Sequence, residues 1–546
     1  MIIQKIIDSF GITEFFILFG LTLTTYIFTF YYNYLTRPNP FPGPLPLPFI
    51  GNLHNIVDIK LFYEQCQQKY GDICEIMFNG CRCIIISRSD YMEKFLYPTT
   101  YFMKIPYLQG IEEFGFYGRG MVFNNDYKSW YYHRQFFTQA LLTPKLMDTA
   151  INSTKQLFEE LSGYWQSLGM QNTLSNNKED NNNWTLETDF SAWLHGFAND
   201  LVSIVITGER TYAIASYYNT QSIIKSEHAG ALVSDGNKFV NAAVKFINDI
   251  AFYMFVGPFM RHYVPIIRNM TIPMLKNRDY VFERFDMMVK NRRKMIDELP
   301  TDTEMKSDML TSLITANTPR NTIKVKTVDD EMLKPMDDKQ IRTNLVEAIL
   351  GGTDTTSNLF CYMTYYVCKH PHAKQKMLLE IDSVFSKLSK KFSVSQEDIS
   401  KLKYCKAIIK ETNRLIPTAF MTTRYIGEER EFSGYKWPAG TQLHLNFIAA
   451  NKHPKIWTNP EIFDPDRFYD DNKYSLKFND KNLMMFGGSQ RICPGRKLAM
   501  TELLLLMALV FKNYNVELVN KNEPIKIKTG LTINCEELKV KISPRI

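Results

Sequence analysis

A single cysteine in a glycine-rich stretch near the end of the chain limits the possible folds more than any other feature. Residues 486–495 have the sequence FGGSQRICPG, and the apolar residues 498–506 follow almost directly. This order predicts a loop that leads into the first turn of a helix. Cys493 would then lie at the positive end of a helix dipole, beside backbone N–H groups that stabilise a thiolate. The pattern favours a sulfur that binds a metal such as iron, although a cysteine near glycines is usually a small buried apolar side chain.

Composition limits the class of protein. The chain has 546 residues, a formal net charge of +7 and 45% hydrophobic residues, which is typical of a globular protein with a large core. The length alone suggests two or more domains. No basic tract is interleaved with aromatic residues, so nucleic acid is not an expected partner. The nine cysteines are irregularly spaced, unlike a disulfide framework, and Cys81 and Cys83 beside an isoleucine run predict a strand rather than a zinc site.

The N-terminal region predicts a membrane anchor followed by a stiff spacer. Residues 15–36 carry no charge, and as a helix they would span about 33 Å, which matches a bilayer hydrocarbon core. No cleavage site follows, which favours a retained anchor over a signal peptide; a surface or core helix is the alternative. Residues 38–48 contain six prolines, which favour an extended segment. We expect an anchor at 1–36, a proline-rich hinge at 37–52 and a globular body at 53–546.

Strand signals occur near both ends of the body, and helical periodicity dominates between them. Residues 81–87 and 441–445 predict strands, with a turn at Asn79–Gly80 before the first. From about residue 130 onward, apolar positions recur at helical spacing. The asparagine-rich residues 171–183 predict a surface loop, and the polar residues 317–338 predict a linker.

Glu411 and Arg414 form a predicted ion pair, and a segment further along the chain contains a second arginine that could join it. They stand three residues apart on a predicted helix, which places both side chains on one face. Alone they would be an ordinary surface ion pair. Residues 453–468 intersperse prolines and aromatics and include Arg467, which predicts an irregular but well-packed segment.

Two further groupings lie on predicted helices. Residues 351–356 have the sequence GGTDTT inside a helical run of about residues 339–369, where glycines and threonines weaken the helix. A phosphate-binding loop would need a glycine–lysine–serine/threonine sequence, which is absent. Trp130 and Arg134 share a helix face, and their N–H groups together suit a carboxylate. The alternative is a core tryptophan beside a cation whose stem lies on the apolar surface.

The order of these motifs resembles that of the cytochrome P-450 family over about residues 38–546. The shared features are Trp130-x-x-x-Arg134, residues 351–356, Glu411-x-x-Arg414, Pro465-x-Arg467-Phe468 and the cysteine loop. One position departs from the family pattern: Ser489 stands where glycine is usual. The resemblance implies a cytochrome P-450 fold, mainly α with a smaller β-rich lobe in one large domain, preceded by one N-terminal transmembrane helix.

The resemblance also implies a site for b-type haem with Cys493 as the axial ligand of its iron. Thr355 would hold oxygen at the iron and Asp354 would supply protons. Arg467 would join Glu411 and Arg414 in a buried structural triad, because an unpaired buried charge is costly. The residues expected to hold the cofactor are Cys493, Trp130, Arg134, Arg424, Arg491 and Phe486.

The implied reaction inserts one oxygen atom of O2 into an apolar organic substrate such as a lipid, a sterol or a xenobiotic. NADPH electrons would arrive through NADPH–cytochrome P-450 reductase, with the anchor in the endoplasmic reticulum membrane and the catalytic domain in the cytosol. A basic cluster could meet an acidic face of the reductase, or could simply be solvated: Lys406, Lys410, Arg491, Arg496 and Lys497. The residues expected at the substrate, or else in the core, are Phe102, Phe114, Phe116, Phe123, Ala348, Phe420 and Met421.

Two other functions fit parts of the pattern. A haem-thiolate isomerase or dehydratase would work without O2 or a reductase, but Asp354 and Thr355 argue against it because such enzymes need no proton relay. A non-catalytic membrane-tethered binding protein would follow if Ser489 had spoiled the haem loop. The intact Arg491, Cys493 and Gly495 argue against that alternative.

Overall fold

Helices form most of the chain, and short strands occur near both ends of the body. The computed structural model describes residues 11–78, 80–96, 104, 109–116, 119–141, 144–175, 184–300, 303–306, 308–321, 334–385, 394–432 and 435–545. The α-helices are α1 Ile12–Leu35, α2 Ile59–Tyr70, α3 Ser89–Leu96, α4 Gln109–Glu113, α5 Tyr127–Leu141, α6 Pro144–Ser175, α7 Phe190–Thr207, α8 Ala213–Gln221, α9 Gly236–Phe255, α10 Pro258–Tyr263, α11 Pro265–Glu298, α12 Met309–Thr315, α13 Asp338–Lys369, α14 Pro371–Phe385, α15 Gln396–Lys401, α16 Lys403–Leu415, α17 Phe447–Asn451, α18 Leu476–Asn482 and α19 Arg496–Asn513. Short 3₁₀ turns cover Leu53–Asn55, Pro465–Phe468 and Ser489–Arg491.

The strands form small sheets at the edge of this helical body. They are β1 Ile73–Phe78, β2 Cys81–Ile86, β3 Leu186–Asp189, β4 Met421–Tyr425, β5 Arg430–Phe432, β6 Tyr435–Trp437, β7 Gln442–Asn446, β8 Tyr514–Leu518, β9 Lys526–Thr529, β10 Ile533–Glu537 and β11 Lys539–Pro544. One sheet has the order β1-β2-β7-β4, with β2 and β7 parallel. A second has the order β3-β11-β8, and β9–β10 and β5–β6 are hairpins. The predicted fold class, mainly α with a smaller β-rich lobe, is confirmed.

Helix α13 runs through the centre of the body and begins within one residue of its predicted start. Asp337 and Gln340 form a capping box at its N-terminus, which satisfies backbone N–H groups that have no partner inside the helix. The helix continues through Gly351 and Gly352 and packs along α7. A β-carbon at Gly352 would lie 2.7 Å from Val202 Cγ2, whereas one at Gly351 would meet nothing within 4 Å. The first glycine therefore leaves open space, and the second allows two helices to approach closely.

Helix α1 is exposed along its length, and among the described residues it is the helix long and apolar enough to cross a membrane. The proline-rich segment after it is not a free spacer, because it lies against strand β1. The Glu75 N–H donates to the Pro42 carbonyl at 2.9 Å, and a β-carbon at Gly43 would lie 1.8 Å from the Glu75 carbonyl oxygen. Tyr26 of α1 also stacks on Phe49 with ring centroids 4.4 Å apart.

Loop predictions were less accurate than helix predictions. The asparagine-rich loop was predicted from residue 171, but α6 continues to Ser175. Packing of the preceding turn, in which Leu168 is buried, extends the helix beyond what the local composition favours. Residues 176–183 and Asn79 of the predicted turn lie outside the described residues. The described ends of segment 317–338 are non-helical up to Asp337, as predicted, and Asp338 already begins α13.

Candidate functional site

A cavity of about 420 Å³ lies between α13, α19, β4 and the cysteine loop. Its walls are mostly apolar, and volumes of this order are typical of small-molecule sites. Residues from all the motifs singled out above, except the acid–arginine triad, contribute to the lining: Trp130, Arg134, Thr355, Arg424, Phe486 and Cys493.

Hydrogen bonds and two left-handed residues shape the cysteine loop. The Cys493 N–H donates to the Phe486 carbonyl at 2.9 Å, which closes the loop. Gly487 has φ +73° and Ser489 has φ +58°. The left-handed backbone at position 489 explains why glycine is usual there, since residues with an L side chain disfavour this conformation. Ser489 adopts it nonetheless, so the serine strains the loop.

The position of Cys493 before α19 favours a thiolate, but the buried surroundings of its sulfur favour the protonated thiol. Burial raises the pKa of the Cys493 thiol. The Gly495 N–H and the charges of Arg134, Lys104 and Arg496 act in the opposite direction but do not outweigh burial. A bound metal cation removes this penalty, because it stabilises the thiolate directly. The sulfur is therefore suited to a metal-ligand role rather than to that of a free nucleophile.

Positive charge dominates the polar part of the cavity. Of the described residues that line it, the carboxylates are Glu347 and Glu502. The cations are Lys104, Arg134, Arg424 and Arg491. Burial lowers the pKa of Arg424 to about 10, and burial together with the charges of Arg424 and Arg134 lowers the pKa of Arg491 to about 9. Such a cluster is suited to bind an anion.

Backbone carbonyls hold two of these arginines in place. Arg134 Nη2 donates to the Ile492 carbonyl at 2.7 Å, and Arg491 Nη1 donates to the Met121 carbonyl at 2.7 Å. The Trp130 ring centroid lies 5.0 Å from the Arg491 guanidinium carbon and 6.0 Å from that of Arg134. The predicted neighbours Trp130 and Arg134 do meet, but Arg491 packs closer to the tryptophan.

These residues fit a haem group. A sulfur in a buried pocket suits iron, and the cation cluster suits the two propionate carboxylates. The apolar walls suit a planar macrocycle, and Gly351 leaves open space on the α13 side. The residues that would hold the group are Cys493, Arg134, Arg424, Arg491, Trp130 and Phe486.

The acid–arginine triad lies outside the cavity and is completely buried. Glu411 and Arg414 are each 0% exposed, and Arg467 is 2% exposed. Glu411 accepts two hydrogen bonds from Arg414, at 2.7 and 2.8 Å, and one from Arg467 at 3.2 Å. Arg414 also donates to three backbone carbonyls, two of them in the segment that carries Arg467. The triad therefore fastens this irregular segment to α16.

Adjacent residues of α13 face different surroundings. Thr355 lines the cavity, and its hydroxyl donates to the Gly351 carbonyl at 2.7 Å. Asp354 does not line the cavity. Its side chain is buried and accepts a hydrogen bond from Thr532 at 2.5 Å. The acid and the hydroxyl are sequence neighbours, but only the Thr355 side chain lines the cavity.

The residues expected at the substrate divide into two groups. Phe123, Ala348, Phe420 and Met421 line the cavity. Phe114 and Phe116 do not; each is buried against Phe246, so the alternative of a core position holds for these two. Phe102 lies outside the described residues.

The predicted basic surface cluster also needs correction. Arg491 is directed inward, toward the Met121 carbonyl. Lys410 forms an ion pair with Asp480 at 2.5 Å. The exposed members are Lys406, Arg496 and Lys497.

Three charged residues of the cavity were not foreseen. Burial and the charges of Arg491 and Arg424 lower the pKa of Lys104 to about 7. Glu347 accepts hydrogen bonds from the N–H groups of Met121 and Phe123, at 2.6 and 3.4 Å. Burial raises the pKa of Glu502 to about 8. Glu347 stands four residues before Gly351 and eight before Thr355 on α13, so helical spacing could have indicated it.

Comparisons with known proteins agree with this geometry. The family model for Cytochrome P450 matches residues 41–542. Among curated relatives, (S)-1-hydroxy-N-methylcanadine 13-hydroxylase of Papaver somniferum is 31% identical over 223 residues, which are 40% of each chain. Tabersonine 3-oxygenase of Catharanthus roseus is 34% identical over 34% of this chain and 36% of that protein. The mitochondrial cholesterol side-chain cleavage enzyme of Hypanus americanus is 26% identical over 61% of this chain and 56% of that protein.

The matched segments thus span between about a third and just over a half of these relatives. Among solved structures, the crystal structure of cytochrome P450DA heme domain superposes with a TM-score of 0.70 at 18% identity, covering 93% of this chain and 98% of that one. That similarity shows the fold. With the family match over most of its length, the chain belongs to the cytochrome P450 family.

Proposed function

We propose that this protein is a membrane-anchored haem-thiolate monooxygenase that inserts one oxygen atom of O2 into an apolar organic substrate. The observation that carries the proposal is the convergence of Cys493, a cluster of cations and Thr355 on one cavity with apolar walls. The relatives named as a 13-hydroxylase and a 3-oxygenase support the reaction class. Haem b is the cofactor that fits this site, because one cysteine sulfur and a cluster of cations would hold it.

Different side chains of this protein would bind the haem, orient oxygen and support the loop. The bound haem would supply the activation of O2. Arg134, Arg424 and Arg491 would hold its propionates, and Cys493 would supply the sulfur that binds its iron. Thr355 presents a hydroxyl to the cavity, suited to orient oxygen or water, and Asp354 holds a carboxylate behind it. The Glu411 triad keeps the segment that precedes the cysteine loop in place.

The substrate is an apolar molecule such as a lipid, a sterol or a xenobiotic. Phe123, Ala348, Phe420 and Met421 form the apolar walls, and no motif in them specifies a particular shape. Aromatic and methionine side chains can repack around different ligands.

Electrons would come from NADPH through a membrane-bound cytochrome P450 reductase. Lys406, Arg496 and Lys497 are exposed on α16 and on the first turn of α19, which follows the cysteine loop. A cationic surface of this kind attracts an acidic partner and accelerates its association.

The membrane is the proposed location, with residues 1–36 as the anchor, 37–52 as the hinge and 53–546 as the catalytic domain in the cytosol at the endoplasmic reticulum. Phe49 of the hinge stacks near Phe259 of α10, with ring centroids 6.3 Å apart. Phe259, Tyr263 and Ile266 are exposed apolar side chains close to this point. Together with α1 they form an apolar surface that suits the lipid interface.

Oxygen labelling tests the proposal. The full chain, reconstituted in phospholipid with a cytochrome P450 reductase and NADPH, is supplied with ¹⁸O2 and with lauric acid, cholesterol or ethoxycoumarin. We expect at least one product with a single ¹⁸O atom, formed only when NADPH is present. Cys493→Ala should form none. Product that forms without NADPH and O2 and gains no oxygen atom would identify an isomerase or dehydratase instead.

A further inference from the structure

Loop 119–124 lies between α13 and the cysteine loop, and its residues Met121, Val122 and Phe123 line the cavity. The loop forms neither helix nor strand, although Met121 and Phe123 are buried. Buried backbone N–H and C=O groups outside regular structure need hydrogen-bond partners elsewhere. Here the partners lie on opposite sides of the loop, one on α13 and one on the cysteine loop.

On the α13 side, one carboxyl group collects the N–H groups of the loop. Glu347 Oε2 accepts a hydrogen bond from the Met121 N–H at 2.6 Å, and Oε1 accepts one from the Phe123 N–H at 3.4 Å. The Val122 N–H is a third donor to this carboxyl group. Three consecutive backbone N–H groups therefore converge on Glu347, which is itself buried.

On the other side, Arg491 of the cysteine loop collects the carbonyl groups. Its Nη1 donates to the Met121 carbonyl at 2.7 Å, and its Nη2 donates to the Asn124 carbonyl. The Met121 carbonyl and the Val122 N–H belong to one peptide group, so this group has the carboxyl at its N–H end and the guanidinium at its C=O end. Each peptide group carries a dipole whose positive end is the N–H. A carboxylate and a guanidinium at these two ends therefore stabilise each other through the loop.

The loop lies directly on α13, without room for a side chain at Gly120. That residue has φ +94°, and a β-carbon there would lie 2.7 Å from Thr343 Cγ2 and 2.8 Å from Glu347 Oε2. Asn124 Nδ2 donates to the Gly120 carbonyl at 3.0 Å, which closes the loop on itself. Gly120 therefore allows the close approach that brings the N–H groups of the loop to Glu347.

We propose that Glu347 is a positioning residue that fixes loop 119–124, and through it both Arg491 and Phe123, an inference that rests on the proposed function. Arg491 would hold a haem propionate, and Phe123 forms part of the substrate wall. One carboxyl group, which need not touch haem or substrate, then sets the haem-binding side and the substrate-binding side of the cavity together. Replacement of Glu347 should therefore loosen both sides at once.

Hydrogen–deuterium exchange measures the Glu347 contact directly. The full chain, loaded with haem in phospholipid nanodiscs, is exchanged and analysed by mass spectrometry at single-residue resolution. In Glu347→Ala the Met121 and Phe123 amides should exchange at least about tenfold faster, the scale of a lost hydrogen bond to a charged group. In Glu347→Gln the increase should be smaller, because the side-chain carbonyl keeps one acceptor. Unchanged exchange in Glu347→Ala would overturn the proposal.

Resonance Raman spectroscopy measures the effect at the haem, which a general loss of stability would not reproduce. The propionate bending band reports hydrogen bonds to the haem carboxylates, so it should shift in Glu347→Ala. Gly120→Ala should give the same shift, because it moves the loop and leaves the carboxyl group in place. Haem transfer to apomyoglobin should become about tenfold faster in both variants. A propionate band and a transfer rate that match wild type in both variants would contradict the positioning role.

Glu502→Gln is the matched control for these measurements. Glu502 also lines the cavity and is buried like Glu347, but its Oε2 has no hydrogen-bond partner among the described residues. Its replacement should leave the exchange of loop 119–124 and the propionate band as in wild type. Equal effects of Glu502→Gln and Glu347→Gln would reveal a general response of the cavity, and the proposal would fail.

The outcomes separate this proposal from the proposed function. If wild type forms oxygenated product while the loop variants match its exchange rates and propionate band, the positioning role is wrong and the monooxygenase stands. If wild type binds haem but forms no product from O2, the proposed function fails, and the exchange rates and the Raman band still decide the role of Glu347. If Glu347→Ala does not fold, Glu347→Gln and Gly120→Ala are used for both measurements.

Discussion

The two adjacent glycines of α13 give the sharpest test of how the helix and the cavity are built. Alanine in a helix interior is favoured over glycine by about 0.5–1 kcal/mol, because glycine loses more conformational freedom. At Gly351 a β-carbon meets nothing within 4 Å, so Gly351→Ala should raise the free energy of unfolding by up to that amount. At Gly352 the same atom would lie 2.7 Å from Val202 Cγ2 and 3.2 Å from Cγ1.

The two substitutions should therefore differ in sign. Overpacking a helix contact typically costs about 1–3 kcal/mol, which exceeds the gain in helix propensity. We expect Gly352→Ala to lower the free energy of unfolding by about 1–2 kcal/mol, a difference of about 2 kcal/mol from Gly351→Ala. The assay is denaturant unfolding of the full chain in detergent, followed by circular dichroism.

A double-mutant cycle identifies Val202 as the cause. Val202→Ala alone should destabilise, since it removes buried methyl groups. Combined with Gly352→Ala it should cost less than the sum of the two single changes, by about 1–2 kcal/mol. The account places Gly351 beside open space and Gly352 at a helix contact. It would be refuted if the two alanine substitutions changed the unfolding free energy equally, or if the effects of Gly352→Ala and Val202→Ala were additive.

Three further changes have defined outcomes. Glu411→Gln leaves the buried guanidiniums of Arg414 and Arg467 without their carboxylate and should cost about 3–5 kcal/mol of unfolding free energy, measured by denaturation; a cost below 1 kcal/mol would contradict the buried triad. Ser489→Gly relieves a left-handed serine and should stabilise by about 1 kcal/mol in the same assay, with haem content unchanged; destabilisation would show that the serine side chain matters more than the strain. Burial raises the pKa of Glu347 from 4.5 to about 7, so the folded, haem-free protein binds more protons than the unfolded chain between these values. Its stability should fall as pH rises through that interval, and Glu347→Gln should flatten the profile; an unchanged slope would exclude Glu347 as the titrating group.

Sequence patterns predicted the parts of the fold that depend on local spacing. The helical run predicted from about residue 339 starts within one residue of the observed start of α13 at Asp338. The three-residue spacing of Glu411 and Arg414 gave their pairing, and Arg467 joined them as the resemblance implied. These features need only one helix or one short segment to be recognised.

Sequence patterns did not predict properties that depend on three-dimensional packing. Phe114 and Phe116 are as apolar as Phe123, and only tertiary contacts place them in the core rather than at the cavity. Lys104 belongs to no motif, and it reaches the site because of where the chain folds. Burial raises the pKa of the Cys493 thiol against the effect of the helix dipole, and burial cannot be read from the local sequence.

The most direct test of the central claim is the carbon monoxide difference spectrum of the reduced protein. We predict a strongly red-shifted Soret band, typical of haem with a thiolate ligand, which Cys493→Ala loses. A band at the shorter wavelength of thiol- or imidazole-ligated haem would show that the loop with Ser489 does not hold a thiolate at the iron. A protein that binds no haem at all would contradict the account.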